Sequence, residues 1–166
     1  MAPKILVVYF SMAGNTAGIA REIARRCNAD VDQIQELGNP VTLSGRWQAT
    51  WRALLHRGAP IRRPTHHPGR YDLVIIGAPV GGTGIPPAVR TYARQYADHL
   101  KAVAFFCAEG GSADERAFGE LTRLCRKQPI ATYAVDRKNL PVAAHRQGVS
   151  GFMDALHLEQ RDAPLG

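Results

Sequence analysis

The chain has 166 residues, 45% hydrophobic and 21% charged, with 16 Gly and 11 Pro. That suits one well-cored domain spanning 1–166 and is short for two, and it excludes a disordered, collagen-like or coiled-coil protein. The formal charge is +7, and seventeen of the 21 basic residues are Arg.

The excess charge is local. Between Gly38 and Arg70 there is no Asp or Glu, and Arg46, Arg52, Arg57, Arg62, Arg63 and Arg70 give that stretch +6, leaving +1 for everything else. Such a patch attracts an acidic partner, a phosphate-bearing ligand or a nucleic acid, or it is a solvated face in an Arg-biased composition.

From the N-terminus, Ile5 to Phe10 is the first continuous apolar run. It is far below the roughly 18 residues of a membrane span and lacks the flanks of a signal peptide, so a soluble, cytoplasmic protein is expected. Ile19, Ala20, Ile23, Ala24 and Cys27 then form one stripe of a helix whose other side carries Arg21, Glu22, Arg25 and Arg26. A weaker strand is expected around Ala29 to Leu37. From about Ser44 to Arg57, Trp47, Trp51, Leu54 and Leu55 at helical spacing predict a crossover helix with arginines on its other side.

Leu73 to Ile76 is the next strong strand, followed by a helix with the stripe Val89, Tyr92, Ala93 and Tyr96 and Pro87 in its first turn. Val103 to Cys107 is the third. Ser112-Ala113-Asp114-Glu115 has capping-box spacing and precedes Ala117, Phe118, Leu121 and Leu124 at helical intervals. A broken strand around Ile130 to Val135 and a last helix burying Val149, Phe152, Met153 and Leu156 complete the pattern.

Strands alternating with helices indicate a parallel α/β sheet. Strands covered on both faces read as continuous apolar runs, so the first, third and fourth belong at the centre and the second and fifth at the edges. The order 2-1-3-4-5 satisfies this and puts any ligand beyond the carboxyl ends of the strands, at the loops after strands one, three and four.

The first of these, Ser11-Met12-Ala13-Gly14-Asn15-Thr16, runs straight into a helix, so its amides and the helix dipole form an anion site without a Lys or Arg. The plain alternative is a turn with Asn15 or Thr16 as N-cap. Rossmann, P-loop and G-x-S-x-G patterns are absent, and Gly77-Ala78-Pro79 stands where a receiver domain needs a carboxylate. His66-His67 is expected to be a solvated loop pair, and no metal site is expected. The three cysteines, 27, 107 and 125, form no C-x-x-C pair and are expected to be free and buried.

Three segments together carry a family resemblance: Lys4 to Thr16 (KILVVYFSMAGNT), Tyr71 to Val80 (YDLVIIGAPV) and Lys101 to Ser112 (KAVAFFCAEGGS). In this order and spacing the chain resembles the flavodoxin family, here a short-chain member. The resemblance implies a flavodoxin-like three-layer sandwich with a five-stranded parallel sheet and FMN as cofactor. By the same resemblance Ser11, Met12, Ala13, Gly14, Asn15 and Thr16 would hold the phosphate. Pro79, Val80, Gly81, Gly82, Thr83 and Gly84, with Cys107, Ala108, Glu109, Gly110, Gly111 and Ser112, would flank the isoalloxazine. The chain departs from the family at Ala13, often a hydroxyl residue in relatives, and at Gly81, often an aromatic.

The function so implied is an FMN-dependent oxidoreductase passing electrons from NAD(P)H or a reductase to a small acceptor such as a quinone, with no side chain required as acid or base. The alternative is a non-enzymatic electron carrier docking an acidic redox partner through residues 46–70. A fold relative that has lost FMN and binds nucleic acid is the disfavoured third reading; a homodimer is the assembly to test. Arginines near the ring would stabilise a reduced, anionic flavin, so Arg62→Gln with Arg63→Gln would lower its potential.

Overall fold

The computed structural model describes residues 2–12, 14–37, 58–81, 84–108, 113–135 and 147–156. The strands are β1 (Ile5–Tyr9), β2 (Asp30–Gln33), β3 (Leu73–Pro79), β4 (Val103–Ala108) and β5 (Pro129–Val135). The helices are α1 (Asn15–Cys27), α2 (Pro87–Tyr96), α3 (Asp114–Cys125) and α4 (147–156). The crossover helix expected between Ser44 and Arg57 lies outside the described residues.

All strand pairings are parallel, in the order β2-β1-β3-β4-β5. The expected order holds because burial sorts the strands. Every residue of β1 and β4 is buried and all of β3 but Pro79, whereas β2 and β5 each bury one.

Side chains alternate along each central strand between two faces. Leu6, Val8, Val74, Ile76, Phe105 and Cys107 pack with Val89, Tyr92 and Ala93 of α2 and with Ala117 and Leu121 of α3. Val7, Ile75, Ala104 and Phe106 pack with Ile19 and Ile23 of α1 and with Val149, Phe152, Met153 and Leu156 of α4. The predicted stripes of α1, α2 and α4 are therefore the buried ones, and Pro87 opens α2 as its spacing suggests.

β2 is shorter than its expected span. After Gln33, Ile34 still donates its amide to the Tyr9 carbonyl (2.8 Å), and Glu36 then bridges antiparallel to Ile61. The segment returning toward β3 is pinned by its histidines, which are not a solvated pair. The His66 amide donates to Asp32 Oδ2 (2.8 Å), the Gly69 amide donates to His67 Nδ1 (3.2 Å), and the His67 ring meets the rings of His99 and Tyr96 edge-on. Adjacent residues on an extended chain point to opposite sides, so the His66 ring meets Tyr71 while the His67 ring meets Tyr96 and His99.

Tyr92 is the most economical test of this core. It is 1% exposed, beside a small cavity shared with Val8, Asp32, Ile61 and Arg62, and its hydroxyl has no hydrogen-bond partner among the described residues. An unpaired buried hydroxyl costs about 1–3 kcal/mol, so Tyr92→Phe should raise the denaturant midpoint by an equivalent of about 1 kcal/mol. A lowered midpoint would show that the hydroxyl is bonded in solution, through water in that cavity.

Candidate functional site

The sheet order reverses between β1 and β3, so the crevice lies beyond the carboxyl ends of β1, β3 and β4. At the end of β1 the Phe10 amide still reaches the Gly77 carbonyl (3.1 Å), after which the chain leaves the sheet. Ser11 Oγ accepts from the Gly14 amide at 3.0 Å, and the Gly18 amide donates to the Gly14 carbonyl (3.1 Å), so α1 begins immediately.

Gly14 is the N-cap, at φ 85° and ψ −11°, a left-handed conformation that glycine adopts without a Cβ penalty. Neither Asn15 nor Thr16 is the N-cap: they are the first two helical residues, and the N-cap glycine has no side chain with which to cap α1. Its first turn carries no acid, while Arg25 and Arg26 occupy the last. The first turn of α1 therefore supplies no negative charge to the positive end of its dipole. Nothing lies within 4 Å of the space a Gly14 Cβ would fill, Met12 is 51% exposed, and Thr16 is buried.

The other helices near the crevice begin differently. α2 starts with Pro86 as N-cap and Pro87 in its first turn, which removes amides. α3 carries Asp114 and Glu115 in its first turn, a compensation supplied by the protein. Its N-cap is Ala113 and not the expected Ser112, because the helix starts one residue later than the capping-box spacing implies. An anion therefore finds its best-prepared helix end at α1.

Of the loop after β3, Pro79 is half-buried, Val80 is buried, and the Val80 amide donates to the Ala108 carbonyl (2.9 Å), tying this loop to the end of β4. Gly81 is exposed, with open space around its Cβ position. The Gly84 amide donates to the Gly81 carbonyl (2.9 Å), and Gly84 sits at φ 87°. Under it lies an ion pair, Arg90 Nε to Glu120 Oε1 at 2.7 Å. No local sequence signal marks that pair, because its members lie on different helices.

Cys107 and Ala108 are fully buried on opposite faces of β4, so only their backbone borders the crevice. Burial and the neighbouring Asp114 carboxylate push the Cys107 thiol up, and burial alone raises Cys125 to about 12 and Cys27 to about 11. None is a thiolate near neutral pH. All three are free, though Cys27 is only half-buried, with its Sγ 3.6 Å from Met153 Sδ. Ala13, Gly82, Thr83 and Glu109 to Ser112 lie outside the described residues.

Arg62 and Arg63 are both exposed. The Arg62 amide donates to the Gln35 carbonyl (2.7 Å), just past the end of β2, and Arg62 lines a small cavity with Val8 of β1 and Tyr92 of α2. Next to it is the antiparallel pairing of Glu36 with Ile61, which no local pattern announces. Among the described residues no three His, Cys, Asp or Glu converge as a metal site, and no helix is long and apolar enough to cross a membrane.

Comparison with known proteins returns the same architecture. The family model described as Flavodoxin matches residues 4–133. No curated protein matches the sequence significantly. A provisionally named flavoprotein from Bacteroides eggerthii DSM 20697 is 22% identical with a TM-score of 0.72, covering 91% of this chain and 98% of that one. A flavoprotein from Lactobacillus acidophilus NCFM, solved in complex with FMN, is 19% identical with a TM-score of 0.68, covering 80% and 93%. Two-electron reduced flavodoxin from Megasphaera elsdenii is 19% identical with a TM-score of 0.53, covering 91% and 98%.

Proposed function

Because the chain belongs to the flavodoxin family, we propose that it binds FMN and acts as an oxidoreductase, taking electrons from NAD(P)H or a reductase and passing them to a small acceptor such as a quinone. The phosphate is held at the β1–α1 turn by Ser11, Gly14, Asn15 and Thr16, and the ring lies between the loops after β3 and β4.

The observation that carries this reading is the start of α1: capped by a left-handed glycine, without an acid in its first turn, and open above Gly14. A dianionic phosphate complements that end, and the residues present fit it without a cationic side chain. Ser11 holds Gly14 through the 3.0 Å hydrogen bond and so orients the turn. Gly81, with open space at its Cβ position, lets a flat ring approach the backbone. FMN, when bound, supplies the electron and hydride transfer, and the protein supplies binding, orientation and exclusion of water. The Lactobacillus protein solved with FMN supports the same assignment.

Titration of the purified protein with FMN, followed by flavin fluorescence and absorbance, tests the reading. Saturable one-to-one binding is expected, and a protein that takes up no FMN overturns it. Turnover with NAD(P)H and a quinone alone then separates the enzyme from the carrier.

The carrier reading has one observation in its favour: Arg62, Arg63 and Arg70 are all exposed, so an acidic partner could dock on them. If they serve docking, Arg62→Gln with Arg63→Gln should make reduction by a protein partner less salt-sensitive. The flavin potential should change little, because exposed charges are screened by salt. A larger fall in potential would bring these arginines back to the ring.

A further inference from the structure

The loops after β3 and β4 are each followed by a helix, α2 and α3, and one interaction joins those helices directly under the first loop. Arg90 Nε and Glu120 Oε1 are 2.7 Å apart, and the two side chains are only 17% and 19% exposed. The pairs Lys101–Asp72 and Arg126–Asp98 are more than half exposed on both sides, as is usual for surface pairs of little energetic weight. Arg90 stands in the opening turn of α2, near the positive end of the dipole, where a cation is disfavoured. Its place there needs the carboxylate from α3.

We propose that the Arg90–Glu120 pair is a positioning element of the isoalloxazine site, fixing Gly84, and through its hydrogen bond Gly81, where the backbone meets the ring. This rests on the FMN reading above. A Cβ built on Gly84 would have Arg90 Nη2 at 3.6 Å and Glu120 Oε2 at 3.7 Å as its nearest neighbours, so the pair lies immediately beneath Gly84. Gly84 is held left-handed at φ 87° while its amide closes on the Gly81 carbonyl. A guanidinium fork can engage the carboxylate in a fixed plane, which an ammonium cannot. Since α2 leaves the β3 loop and α3 leaves the β4 loop, the same pair sets the distance between the two helix starts. Arg90 and Glu120 would act on the ring site through Gly84, so they are positioning residues.

Two variants test this, Glu120→Gln and Arg90→Lys, the second keeping the charge and losing the fork. In the flavin-free protein, hydrogen exchange of the Gly84 amide should accelerate about tenfold in each, as expected for loss of a coupled contact. In binding titrations, FMN and riboflavin should both weaken, by the same factor of roughly 5 to 10, because the ring site is disturbed and the phosphate site is not. Unchanged Gly84 exchange in both variants overturns the proposal, as does loss of FMN affinity with riboflavin affinity intact. If the unsubstituted protein binds no flavin, the FMN reading fails by itself, and the exchange of Gly84 still decides whether the pair holds the turn.

Discussion

Asn15→Asp should weaken FMN binding by about 100-fold, or some 2.7 kcal/mol, while the flavin-free protein keeps or slightly gains stability. The two effects have opposite signs for one reason. Asn15 is the first residue of α1, and the first turn contains no acid. A carboxylate there complements the helix dipole by about 0.3–1 kcal/mol when the site is empty. With FMN present, it faces a phosphate carrying close to two negative charges. One pair of unit charges at 4 Å interacts by about 4 kcal/mol at an effective dielectric near 20, and a longer separation with partial screening brings a dianion to about 3 kcal/mol. Calorimetric titration with FMN and with riboflavin, alongside thermal melts, reads both. Riboflavin lacks the phosphate, so its affinity should be almost unchanged. Equal losses for the two ligands would mean that the phosphate is bound elsewhere.

Gly77→Ala should destabilise the protein by about 3 kcal/mol, lowering Tm by roughly 10 °C for a chain of this size. Gly77 is on β3 beside Phe106 of β4, and a Cβ on Gly77 would come within 1.9 Å of Phe106 Cζ. Phe106 is completely buried between the sheet and α1 with α4, so its ring has nowhere to move. The glycine is there for space: the ring lies across the strand at the position its side chain would occupy. Phe106→Leu should therefore recover part of the loss in the double variant, although by itself it costs stability. Strict additivity of the two substitutions would show that the ring does not cover Gly77 in solution. The Gly77 carbonyl also receives the Phe10 amide, so the same substitution should disturb the end of β1 from which the phosphate turn departs.

How much of this was legible in the residues depends on the range of the interaction that decides each feature. Strand and helix identities follow from local periodicity, which is why the stripe Ile19, Ala20, Ile23, Ala24 and the run Val103 to Cys107 are found where expected. The capping residues were misplaced by one or two positions at α1 and α3. Hydroxyl and amide side chains compete for the cap, and the backbone conformation of Gly14 decided the outcome at α1. The histidines were misjudged because their partners, Asp32 and Tyr96, lie about thirty residues away in either direction.

By itself, the amino-acid order determined the fold class, the order of the sheet and the three loops that gather at its carboxyl edge. Apolar continuity reports directly which strands are covered on both faces, and that is a property of each segment alone. Only the tertiary structure decided that α1 starts from a left-handed Gly14, that Arg62 follows the pairing of Ile61 with Glu36, and that Arg90 meets Glu120 beneath Gly84. These depend on how separate elements pack and on backbone angles set by that packing, and neither leaves a periodic trace in the chain.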